Sequence, residues 1–166
     1  MAPPPASDAV IAEIRTNIVF EKLIVSVLTV AGIAGAAHFI FGVLWRASAI
    51  GLSPGGGAAA MIAALSYAAF FFIAGFAVSL TVGIPLFRSL EKAKIRKAWP
   101  YVATASAASF LISALAGEAP SVEAPGRLLN LIPGVAAAVL FARKMRPFWS
   151  AANLSDEAPP GNSRLN

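Results

Sequence analysis

Gly83-Ile84-Pro85-Leu86-Phe87-Arg88-Ser89-Leu90-Glu91-Lys92-Ala93-Lys94-Ile95-Arg96-Lys97-Ala98-Trp99-Pro100-Tyr101 is the stretch that decides how this chain folds. A long apolar run ends at Gly83-Ile84-Pro85. Five cations follow within ten residues, and Trp99-Pro100-Tyr101 opens the next apolar run. A basic segment between two bilayer-length runs reads as the cytoplasmic joint of two transmembrane helices.

Composition agrees with that reading. Of 166 residues, 58% are hydrophobic and 13% charged, against about 25% charged in soluble domains. Mean hydropathy is +0.74. With no cysteine, disulfides, thiolate metal sites and thiol catalysis are excluded. One histidine excludes a multi-His metal site within one chain. The net charge of +5 does not point to nucleic acid, because the cations sit at the ends of apolar runs. It suits anionic lipid at a cytoplasmic face.

The pattern predicts an all-α, polytopic membrane protein, a four-transmembrane-helix bundle. A cytoplasmic leader (1–22) precedes a transmembrane domain (23–146) with spans near 23–45, 58–86, 98–115 and 128–142. A disordered cytoplasmic tail (147–166) follows. In the leader, Val10, Ile11, Ile14 and Ile18 share one helical face behind a Ser7 cap. That segment either lies in the interface or extends the first membrane helix. It carries Glu13 and Glu21, unlike a signal peptide's basic leader. The 23 residues of the first span reach roughly 35 Å, enough for a core of about 30 Å. Pro54-Gly55-Gly56-Gly57 lacks the Gly-Lys-Ser/Thr of a phosphate loop and reads as a turn. Pro85 removes the donor for the Thr81 carbonyl, which the Thr81 hydroxyl is placed to compensate. Trp99 and Tyr101 suit an interfacial belt, as do Phe148 and Trp149 after the basic stop Arg143, Lys144 and Arg146. The last span holds Asn130 and Pro133-Gly134; it is a fourth crossing or a re-entrant hairpin.

Alternate segments carry eleven Lys and Arg against two. The positive-inside rule therefore places the leader, the middle loop and the tail in the cytoplasm. An even number of crossings requires the same.

Small residues recur at spacing four: Gly32/Ala36, Gly75/Ser79/Gly83, Ala105/Ser109/Ser113 and Gly134/Ala138/Ala142. Such rows let helices approach closely in lipid. The Gly75 row is the strongest candidate, since glycine is unfavourable in a helix without a packing reason.

Two intramembrane polar residues are candidates for function, His38 and Asn130. No Asp or Glu lies inside a span to relay protons with His38, so a hydrogen bond to a neighbouring helix is the simpler role. Asn130 is expected to bond the Leu129 carbonyl freed by Pro133, or to bridge helices. Arg88, Lys92 and Arg96 repeat at four residues. A helical continuation would align them as a contact for a partner or anionic lipid. No catalytic, metal or cofactor motif is present.

The segments 82–90, 99–101 and 133–141 resemble a group of small bacterial four-helix membrane proteins of uncharacterised function. The shared pattern is Gly-x-Pro-Leu closing helix two, Trp-x-Tyr opening helix three, and a Gly-rich last helix before a basic stop. Ala105 and Ala107 stand where that group often has glycine. The resemblance implies a bacterial inner-membrane setting and no activity. The expected function is an accessory or structural subunit without enzymatic activity or cofactor. It would act by helix packing or its basic face, as a homo-oligomer or with a membrane protein partner. The alternatives are a small oligomeric transporter or channel and, third, a membrane enzyme or haem protein using His38.

Overall fold

The computed structural model describes residues 8–49, 56–117 and 124–157, and no strand occurs among them. The expectations for the leader before Asp8, the glycine turn before Gly56, the acidic turn after Gly117 and the tail after Glu157 lie outside the described residues. The elements are α1 (Asp8–Ala49), α2 (Gly56–Val78), a π turn (Ser79–Gly83), α3 (Ile84–Lys92), α4 (Trp99–Leu115), a 3-10 segment (Pro125–Leu131) and α5 (Ile132–Glu157). The π turn joins α2 and α3 into one rod, so the described chain is four helices. Three stretches are long and apolar enough to cross a membrane: Arg15–Trp45, Gly56–Lys92 and Arg127–Asn153. The fourth helix, α4, has 17 residues, roughly 26 Å.

Local chemistry sets these boundaries. A helix that meets Pro85 loses a donor and gains a ring crowding the preceding turn. The chain responds with the π turn, in which the Ile84 N–H reaches back to the Ser79 carbonyl. The Thr81 hydroxyl donates to the Ala77 carbonyl at 2.8 Å, one turn earlier than the carbonyl that Pro85 frees. α3 stops at Lys92 through a Schellman cap. Lys94 turns left-handed with φ 55°, its N–H bonds the Glu91 carbonyl, and the Ile95 N–H bonds that of Leu90. Gly117, at φ 74°, also turns left-handed at the end of α4, its N–H bonding the Ala114 carbonyl. Pro100 and Pro133 fall in the first turns of their helices, where a missing N–H is tolerated.

The leader extends α1 as one continuous helix; it does not turn aside to lie flat. α5 is also longer than its sequence expectation. It continues through Pro147 to Glu157, where the charged, proline-containing sequence predicts disorder from the end of the last span. Its apolar face persists past the basic stop, with Phe141, Met145 and Trp149 one turn apart and buried. α5 lies antiparallel to α4, with Gly134 against Ser109 at one end and Trp149 on Tyr101 at the other. A re-entrant hairpin is therefore not formed.

Glycines mark the helix crossings. A Cβ on Gly75 would lie 2.6 Å from Val27, and one on Gly83 3.5 Å from Leu23. The Gly75/Ser79/Gly83 row therefore packs on α1 of the same chain. On α1 itself the tightest contact glycine is Gly35, whose added Cβ would meet Ala68 at 2.8 Å, and one on Gly42 would lie 3.8 Å from Ala60; Gly32 has nothing within 4 Å. The Gly32/Ala36 row thus faces outward, one position off the real seam. The α4 and α5 rows meet each other, since a Cβ on Gly134 would strike the Ser109 hydroxyl.

Candidate functional site

One end of the bundle is solid. Val19 and Leu23 of α1, Phe87 of α3, Tyr101 of α4 and Phe141, Met145 and Trp149 of α5 form its core. Tyr101 stacks on Trp149 at 5.8 Å and meets Phe141 edge-on at 5.2 Å. Tyr101 and Trp149 are thus core residues, 5% and 7% exposed, while their neighbours Trp99 and Phe148 remain on the surface. Burial therefore removes Tyr101 and Trp149 from the expected belt. The signal missed in the sequence was the four-residue repeat of Phe141, Met145 and Trp149.

The other part of the bundle is open. α2 packs on α1, α1 on α5, and α5 on α4, but α2 and α4 share no comparable interface. The helices form a curved row with a gap between its two ends. A cavity of about 440 Å³ occupies that gap and is lined by all four helices. Its walls are mostly apolar and small, including Ala74, Gly75, Ala105, Ala108 and Ala137. Phe70 and Phe71 close one side. Among the described residues its polar atoms come from Tyr67, Ser79, Ser109, Ser113 and Asn130, and no acidic or basic side chain lines it.

Asn130 is thus a cavity residue. The 3-10 turn gives the Leu129 carbonyl the N–H of Ile132, so the expected side-chain rescue is not needed. Ser106 bonds the carbonyl of Val102 one turn back. Ser79 and Ser113, 5% and 7% exposed, form no side-chain hydrogen bond with the described residues. No fully sealed side-chain oxygen or nitrogen among the described residues lacks a partner, so both hydroxyls open onto the cavity.

His38 lies outside the cavity. It is exposed and stacks on Tyr67 at 4.6 Å with an interplanar angle of 18°. Its neighbour across the helix pair is a ring, where the sequence suggests a hydrogen-bonding group. No group of three His, Cys, Asp or Glu among the described residues could hold a metal.

The basic loop divides. Arg88 and Lys92 are exposed on α3. Arg96 does not continue their row, because the cap at Lys94 ends the helix. Its guanidinium turns back to Glu91 at 2.9 Å and reaches Asn153 of α5 at 2.8 Å. The Arg96 side chain is 9% exposed. Arg96 fastens the loop to α5, and of the three residues in the row Arg88 and Lys92 remain exposed.

These features define a class: an all-helical protein with three helices long and apolar enough for a membrane and a cavity between its helices. No known protein family matches the chain, and no curated protein or solved structure resembles it.

Proposed function

We propose that this chain is a four-pass protein of a bacterial inner membrane, with both termini and the Arg88–Lys97 loop in the cytoplasm. It acts without catalysis, as an accessory or structural subunit. α4 serves as the fourth crossing; at roughly 26 Å it nearly matches a core of about 30 Å. The charge asymmetry supports the orientation. The observation that supports the non-enzymatic reading is the cavity: no acid or base is among its described lining residues, and Tyr101, Phe141 and Trp149 close the bundle beyond one end. The described lining therefore offers neither a proton-transfer pair nor a continuous polar path. Arg88 and Lys92 provide the cytoplasmic contact for a protein partner or anionic lipid, each worth roughly 1 kcal/mol at an anionic surface.

A small oligomeric transporter is the second reading, favoured by the cavity itself; it requires other copies to complete a path. Mild-detergent purification from the native host separates the two. A co-purifying membrane protein that is lost on combined Arg88→Gln and Lys92→Gln supports the accessory role. A homo-oligomer that restores substrate flux in vesicles contradicts it.

A further inference from the structure

We infer that the cavity is a lateral binding site for one acyl chain of an outer-leaflet glycerolipid, which enters between α2 and α4. This rests on the four-pass reading above and goes beyond it by naming an occupant.

Four observations converge. The cavity is reached between the two helices that do not pack on each other, so a ligand dissolved in the bilayer has a direct route. Its volume of about 440 Å³ lies within the roughly 300–1,000 Å³ of ligand pockets. Along α4 it extends from Ala105 to Ala116, roughly 16 Å by helical rise, against about 15 Å for half of a 30 Å hydrocarbon core. Its length is therefore that of one leaflet.

Polarity is weighted toward one end. Leu23, Val27 and Ala138, with the hydroxyl of Ser79, line the part next to the solid core, and Ser113 and Asn130 line the part near the end of α4. In the proposed topology that polar part faces the outer leaflet, at the depth where acyl chains meet their glycerol esters. The Ser113 hydroxyl is buried, opens onto the cavity and has no partner among the described residues. It and the Asn130 amide are donors, and an ester carbonyl is an acceptor. With no acid or base among the described lining residues, the group that these donors match is a neutral oxygen.

The test uses the full chain in vesicles of phosphatidylethanolamine and phosphatidylglycerol doped with phosphatidylcholine carrying a diazirine at its acyl terminus. After irradiation, labelled residues are mapped by mass spectrometry. The expected result is about one label per chain, concentrated on cavity-facing residues of α4 and α5. Ala108→Trp, which fills the cavity, lowers it about tenfold; Ala107→Trp, on the exposed face of α4, leaves it unchanged. Combined Ser113→Ala and Asn130→Ala removes the donors without filling space and also lowers labelling, which keeps the test informative where Ala108→Trp fails to fold. Labelling spread evenly over outward residues such as Ile62 and Leu65, or cross-links showing a second chain in the gap, overturns the inference. If alkaline carbonate releases the chain from native membranes, the membrane reading itself fails. If the chain resists carbonate but labels evenly, only the lipid site falls.

Discussion

Arg96 donates a 2.8 Å hydrogen bond to Asn153, joining the loop after α3 to the late turns of α5. The same guanidinium pairs with Glu91. A residue counted among the topogenic cations thus has a structural task. Hydrogen bonds to a charged group contribute roughly 1.5–3 kcal/mol when poorly solvated, and Glu91 keeps some solvent contact. Arg96→Ala should therefore lower unfolding stability in detergent by about 1–2 kcal/mol. Asn153→Ala should cost about 1 kcal/mol. Combined Arg88→Gln and Lys92→Gln should stay within about 0.5 kcal/mol of the parent. Denaturant unfolding followed by circular dichroism measures all three.

Gly75 and Gly32 make opposite predictions although both are helical glycines. Gly75→Ile drives a branched side chain into Val27 and should destabilise by about 1–3 kcal/mol. Gly32→Ala meets nothing and should stabilise by up to about 1 kcal/mol. Equal effects would mean that α1 presents a different face to α2.

The cap at Lys94 is a third site. A lysine held at φ 55° bears a conformational penalty that glycine does not. Lys94→Gly should raise stability by up to about 1 kcal/mol, and Lys94→Val should lower it by at least about 1 kcal/mol. Thermal midpoints of the two variants against the parent provide the comparison.

His38 stacks on Tyr67, and aromatic pairs contribute about 0.5–1.5 kcal/mol. His38→Gln should leave expression and helicity intact and cost no more than about 1 kcal/mol. A chromophore that co-purifies with the parent and vanishes in the variant would return His38 to the haem reading.

Much of this architecture was legible because long apolar runs constrain sequence strongly. Those runs and the Trp-Pro-Tyr start marked the helices, and the Gly75 row marked a true contact, whereas Gly83-Ile84-Pro85 marks a π turn and not the end at residue 86 that the sequence predicts; the rod continues to Lys92. What escaped depends on tertiary partners. Gly32 and Gly35 differ only in which faces α2, and alanine-rich sequence leaves that phase undefined. Arg96 reads as the third member of the Arg88 and Lys92 row because its partner Asn153 is distant in sequence and sits in a segment whose charges and prolines suggest disorder. Trp149 looked interfacial because it follows a basic stop, yet its four-residue spacing from Met145 continues the buried face of α5. The cavity was not legible at all. It arises where α2 and α4 fail to meet, and no local pattern records a missing contact.

The proposed threading has four crossings with both basic ends inside. The chain lacks cysteine, so single cysteines can be introduced into an otherwise native background. Gly57→Cys, Lys97→Cys, Ala116→Cys and Asn153→Cys variants are treated in intact cells with a membrane-impermeant maleimide, then again after permeabilisation. Labelling of positions 57 and 116 in intact cells, with 97 and 153 labelled only after permeabilisation, is the predicted result. Labelling of position 153 in intact cells while 97 stays protected would mean that α4 and α5 together do not return the chain to the cytoplasm, and would contradict it.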